Sequence, residues 1–557
     1  MNKVGKFLSV FLCISLIGGL VVLNSTKSVK KISKADYSPN AFRLENCRYD
    51  SSRDSSIAVK NGKYTISRSD SLYDAENGEH GYWTFLVYLS GNADESNNGV
   101  CSGILNEIVE ASKDNDKVNF VVATGGAKKW KKEKDKDPVF NMSYKKIQIY
   151  NISNGKVHEE EGQDPNDANK KYDLFPCVDK GNDKLFTASM GNPDTLQKFI
   201  TYGISKYGKT TVEEPVDEST FYDEDINDTF KNDDKEATEE ENKDENEEEV
   251  KTVEKTYNNH IGLILYGNDD AMGKGVAYDE NCSDYLTLSE LELALSASKG
   301  ALKNKLDLIC FDGTTSQYVE VANMLVPYAE YLVGPQCKGG YGGVRYSMIA
   351  NNIKNGYTST ALEVASDMCE TSFNASNEAV QKKAVLSVVD LKYLDAFLYR
   401  FNSTITKLNK MIESKPNEFI KYSKAMNQAI STSDNSVDIG NFLRKIGSKV
   451  EGITYTYSNY NLMMAHKISA VRYGTNKDAT GLSMYWNMNV TDNDYKYLKN
   501  ISVNPYLLNV MDASAYVTLN NDLSKYKVTR KNWEVVKDYY TNNFKFVEQG
   551  ANGRIDN

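Results

Sequence analysis

Two short apolar runs of this 557-residue chain each end in a cluster of small, polar and acidic residues. LICFDGTTS (308–316) delivers Asp312, a glycine and the hydroxyls of Thr314, Thr315 and Ser316, and HIGLILYGNDD (260–270) delivers Asn268, Asp269 and Asp270. A hydroxyl attacks a carbonyl usefully only when a neighbouring group takes its proton, most often an imidazole. Asp269 or Asp270 would have to serve with a carboxylate pKa of about 4, a weak base for an alcohol. A solvated polar loop is the preferred reading of both. Of the four histidines, His260 opens its own run and so lies about 25 Å from position 268 at the rise of a strand. His80 precedes the first strand and shares that fault, His158 sits in a polar stretch, and His466 in NLMMAHKISAV reads as a core or surface residue. Cys310, four residues before Thr314 and about 13 Å from the tip of its strand, is read as core.

The elements that must position these residues follow a regular pattern. Apolar β-rich runs occur at 83–91, 118–126, 260–269 and 305–313, with an alternating strand and turn at 146–156. Between them, 99–114, 192–208 and 286–300 carry apolar residues at helical spacing, and 314–333 is read as a further helical stretch. Strands alternating with helices of this length imply βα units and a mainly parallel sheet with helices on both faces, with function at the carboxyl ends of the strands. Residues after about 380 are expected to form a further α/β portion.

Charge is unevenly placed. Residues 213–255 hold 20 Asp/Glu against 5 Lys, so a chain of net charge -11 leaves a body of about +4 once they are set aside. That segment is too polar to order itself and is expected to be a disordered insert. It lacks the D-x-[DN]-x-[DN]-G calcium loop. The acidic balance gives no reason to expect a nucleic-acid partner. G-x-x-x-x-G-K-[ST], H-E-x-x-H and G-x-S-x-G are absent, which excludes the commonest nucleotide, zinc-hydrolase and serine-hydrolase sites. Lys3 and Lys6 followed by an uncharged run over 7–23 have the build of an export signal, either cleaved or kept as a signal anchor in the membrane. Seven cysteines beyond the signal, Cys47, Cys101, Cys177, Cys282, Cys310, Cys337 and Cys369, show no C-x-x-C spacing and suggest neither zinc nor a disulfide framework.

VYLSGNADESNNGVCSGILNEIVEAS, VNFVVATGGAKKW, MGNPDTLQKFITYGISKYG, HIGLILYGNDDAMGKGVAYDE and KLDLICFDGTTSQYVEVANMLVPYAEYLV, in that order, resemble the landmarks of clostripain-like cysteine peptidases over about 82–390, with GLSMYWN near 481 as a later one. The resemblance implies a caspase-like α/β/α sandwich presenting a His and a Cys after adjacent strands. It also implies cleavage after Arg or Lys, acidic pocket residues, and self-processing in a linker where the acidic insert falls. The family's L-I-L-W-x-H-G-G-G places Asn268 where the His belongs, and its F-D-A-C-L-M places Thr314 where the Cys belongs. Asp312 matches the retained pocket acid. In GGYGGVRY (339–346) Arg345 takes the place of an acid, where it would repel a cationic side chain or be an ordinary surface arginine. No cofactor is expected; calcium enters only through the resemblance.

The expected organisation is an export signal or anchor at 1–26, a polar segment at 27–80, the clostripain-like domain at 81–390 interrupted by 213–255, and the C-terminal α/β portion at 391–557. Asparagine accepts no proton and a hydroxyl without a base is a poor nucleophile. The expected function is therefore that of an exported pseudopeptidase binding a peptide or protein. Two alternatives stand beside it: an endopeptidase with an altered nucleophile, and a scaffold whose acidic insert binds basic partners.

Overall fold

The computed structural model describes residues 81–485 except 132–139, 216–251, 408–428, 470–478 and shorter stretches between 165 and 187, at 268 and 272–273, and between 399 and 451, together with a backbone hairpin within 55–68. The export signal expected at 1–26 lies outside the described residues. The polar segment contributes that hairpin, Ser55–Lys60 paired with Lys63–Arg68.

Nine strands form the main sheet: β1 Trp83–Ser90, β2 Val118–Gly125, β3 Gln148–Ser153, β4 Lys156–Glu160, β5 His260–Tyr266, β6 Leu306–Asp312, β7 Ala329–Pro335, β8 Val385–Asp390 and β9 Met464–Ser469. Their order is β9-β8-β7-β6-β5-β1-β2-β3-β4. The five central strands β2, β1, β5, β6 and β7 run parallel, and two antiparallel strands flank them on each side. The mainly parallel sheet expected from the sequence is thus its centre, with antiparallel edges. The portion after 390 continues the same sheet through β9.

Every residue of β5 and β6 is buried, as strands covered on both faces must be. The pleat sends Phe85 and Val87 of β1 into one apolar cluster and Leu86 and Tyr88 into the other. Helices α1 Val100–Ala111, α5 Tyr346–Lys354 and α6 Ala361–Ala375 cover the first face. The second is covered by α2 Pro193–Tyr207, α3 Leu288–Ala297, α4 Val319–Leu325, α7 Ile439–Ile446 and α8 Ile453–Met463. Local sequence sets several of their starts. Asn192 accepts from the Asp194 and Thr195 N–H groups ahead of Pro193, and Thr287 with Glu290 closes a capping box.

The stretch 314–333, read as helical, splits into the short α4 and the strand β7. The expected insert is also narrower at its ends. Lys209–Pro215 pairs antiparallel with Thr252–Asn258, so 213–215 and 252–255 are strand, and 216–251 lies outside the described residues. Thr210, Thr211, Val212, Val253, Thr256 and Tyr257 are β-formers and supply the reason.

Candidate functional site

Strand order reverses between β1 and β5, so the carboxyl ends of β1, β5 and β6 form the crevice where such sheets carry function. The loops after β5 and β6 continue the parallel pairing beyond the strands. Gly267 N–H donates to the Asp312 carbonyl at 3.0 Å, Thr315 N–H to that of Asp269 at 2.9 Å, and Ala271 N–H to that of Thr315 at 2.9 Å. Glycines allow this approach. Gly313 has φ +96°, and a Cβ there would stand 2.2 Å from the Gly267 carbonyl oxygen. A Cβ at Gly267 would stand 2.3 Å from the Val276 carbonyl oxygen and 2.5 Å from Thr314 Oγ1.

The loop pair turns its hydroxyls inward. Thr314 is fully buried and donates to the Val276 carbonyl at 3.3 Å. Thr315 and Ser316 are buried too, and Ser316 Oγ has no hydrogen-bond partner among the described residues. Asp269 is half-buried with the Lys274 ammonium 3.6 Å away, and Asp270 accepts from the Tyr318 hydroxyl at 2.8 Å. Asn268 lies outside the described residues.

Asp312, the residue matched to the family's pocket acid, is buried and hydrogen-bonded. It is 1% exposed and accepts from Val344 N–H at 3.0 Å and from the Tyr346 hydroxyl at 3.1 Å, so it holds the backbone before Arg345 and the side chain after it. Arg345 is half-buried, and its Nε has no partner among the described residues. Burial pushes the Asp312 carboxyl up to about 6, although both hydrogen bonds pull the other way. An unfolded aspartate titrates at about 3.9, so as pH rises the unfolded chain loses its proton first and the fold loses stability between about pH 4 and 6. Urea unfolding is expected to show the wild type losing about 2 kcal/mol more than Asp312→Asn over that interval. Equal pH slopes would contradict this account of the residue.

No described histidine reaches the loops. His158 on β4 is at the level of Leu263 through the pairings Asn151, Val121 and Leu86, four strand spacings from β5; that is about 19 Å. His466 on β9 is at the level of Cys310 through Val388 and Val333, three spacings from β6; that is about 14 Å. His260 sits at the amino end of β5, and His80 lies outside the described residues. Cys310 is fully buried in β6, and burial raises its thiol well above the ordinary value, as expected for core.

The sequence profile described as Clostripain family, peptidase C11, matches residues 245–550, more than half of the chain and including both loops. The chain belongs to the clostripain family. The match starts later than the resemblance read over about 82–390 and runs further, past 390. No curated protein matches the chain. Among solved structures it is similar to an inactive zymogen C11 protease from Parabacteroides distasonis, at 13% identity over 72% of this chain and 91% of that one, TM-score 0.43. It is also similar to a secreted C11 cysteine protease from Bacteroides thetaiotaomicron in complex with an irreversible peptide inhibitor, at 14% identity over 76% and 97%, TM-score 0.45.

In this clostripain-family chain a polar network that the sequence reading missed ties the late segment to the crevice. Asp438, fully buried, accepts from Asn441 N–H at 2.7 Å, Thr480 N–H and hydroxyl at 2.6 Å each, and the Gln336 amide at 2.8 Å. Gln336 follows β7 and also takes Gly481 N–H at 3.1 Å, while Ser483 N–H donates to the Gln317 carbonyl at 2.8 Å. The GLSMY part of the late landmark is thereby fixed beside α4. Among the described residues no cluster of three or more His, Cys, Asp or Glu is placed to hold a metal, and no helix is long and apolar enough to cross a membrane. Of the cysteines, Cys101, Cys282, Cys310, Cys337 and Cys369 are free thiols, and Cys47 and Cys177 lie outside the described residues.

Proposed function

We propose that this chain is an exported, non-catalytic member of the clostripain family that binds a peptide or protein in a regulatory role. The observation that carries this is Thr314. It occupies the position that the family motif gives to the nucleophilic cysteine, and it is buried with its hydroxyl on a backbone carbonyl. The base position holds Asn268, which accepts no proton. Backbone pairing with an extended peptide needs no catalytic dyad, so the crevice can keep a ligand after losing the reaction. Export rests on the apolar run after Lys3 and Lys6.

Asn268→His combined with Thr314→Cys tests how far the site has moved from a peptidase. The combined variant is expected to leave Arg- and Lys-containing peptides uncut. Position 314 is closed off by the Val276 and Gly267 backbone, and Asp312 is committed to the Arg345 loop. Cleavage after Arg or Lys by that variant would contradict the remodelling and show that only the dyad is missing.

A further inference from the structure

The amino ends of the central strands carry a second constellation, about 20 Å from the loop pair at the rise of a strand. His260 opens β5, Trp83 opens β1, Asp307 is the second residue of β6, and Lys117 immediately precedes β2. His260 is 4% exposed and Asp307 1%. Asp307 Oδ1 lies 2.7 Å from His260 Nδ1, and its Oδ2 accepts from Ile261 N–H at 2.7 Å. The ring also stacks on Trp83, with centroids 4.7 Å apart at 19°. The carboxylate commits Nδ1 as a donor and the indole fixes the ring, so Nε2 is the nitrogen left to act.

His260 lines a cavity of about 310 Å³ together with Lys117, Ile353, Thr358, Ser359 and Thr360. Its Nε2 has no hydrogen-bond partner among the described residues. Thr358 Oγ1 is buried there and equally without one. A cavity of this size falls at the lower end of small-molecule sites. Its polar lining includes the Lys117 ammonium, the His260 ring and the hydroxyls of Thr358, Ser359 and Thr360. Asp307 lies against Nδ1 of the ring, and Glu363 accepts from Ser359 and Thr360 N–H at 3.0 Å each. With Nδ1 donating to Asp307, Nε2 of the neutral ring is an acceptor, which suits a ligand that carries an O–H or N–H beside its anionic group.

We propose that this cavity is a second binding site, separate from the family's crevice, for the carboxylate or phosphate group of a small ligand, held by His260, Thr358 and Lys117. The anionic oxygens would accept from Thr358 and from Lys117, whose ammonium supplies the balancing charge, and an O–H or N–H beside them would donate to Nε2.

Calorimetric titration of the full chain with inorganic phosphate, and with an N-acetylated dipeptide bearing a free carboxyl terminus, tests the site and separates its two sources of anion. At least one of them is expected to bind with a dissociation constant of about 1 mM or tighter. Removing His260 leaves Asp307 buried without its partner, so Lys117→Met and Thr358→Val are the decisive variants. Each should weaken binding about fivefold or more, a change of about 1 kcal/mol, with the melting temperature unchanged. Binding of the dipeptide but not of its amidated form would assign the site to a terminal carboxylate, and binding of phosphate alone to a free or esterified phosphate. Absence of binding to both, or equal affinity in wild type and both variants, would overturn the proposal.

Discussion

Gly313→Ala is expected to lower the unfolding free energy by about 3–5 kcal/mol, a large loss for one methyl group. Two costs add. At φ +96° a side chain is strained whatever the space around it, and the new Cβ would stand 2.2 Å from the Gly267 carbonyl oxygen. That oxygen belongs to backbone, so relief requires separating the β5 and β6 loops and breaking the hydrogen bonds between 267 and 312, 269 and 315, and 271 and 315. Urea unfolding measures the loss. A change under about 1 kcal/mol would mean that the loops are not locked together as described.

Asp438→Ala is the second large effect, expected at about 4 kcal/mol. One buried carboxylate satisfies four donors from three separate stretches of chain; removing it strands the Asn441 and Thr480 N–H groups at about 1–3 kcal/mol each and weakens the Gln336 amide and Thr480 hydroxyl, which keep Ser483 Oγ and the Tyr460 hydroxyl. Asp438→Asn keeps the shape and one acceptor oxygen, so about half the loss is expected from it. Because the network anchors 479–485 against β7 and α4, limited proteolysis should also cut the Asp438→Ala protein faster near residue 480. Equal stability and equal cutting in wild type and variant would contradict the anchoring role.

The strands that seat the candidate site were legible because they are short β-rich runs ending in glycine or acid, and the helices between them keep a 3.6-residue stripe. β7 was not. Its residues join those of α4 in one apolar run interrupted by Pro327, and a strand and a helix buried on every side look alike in periodicity. The proposed loss of the family's His and Cys rests on the motif matches at 268 and 314, which are made on sequence without geometry. The hydrogen bonds that Asp312 makes could not be read from sequence, because its partners Val344 and Tyr346 are more than thirty residues away. The Asp438 network was hidden for the same reason, with Gln336 and Thr480 brought together only by the fold. His260 was set aside as lying at the wrong end for catalysis, which holds for the loop pair. The signal passed over was Asp307, a charge inside the apolar run KLDLICF, which asks for a buried partner.

The central claim is that the chain keeps the clostripain fold without its reaction. Incubating the purified protein, with and without calcium, with Arg- and Lys-containing peptide substrates and a thiol-reactive probe tests it most directly. The account predicts turnover no faster than in substrate alone and no labelling of the folded protein at Cys310. Turnover that disappears when Thr314, Cys310 or Asp269 is replaced would contradict it.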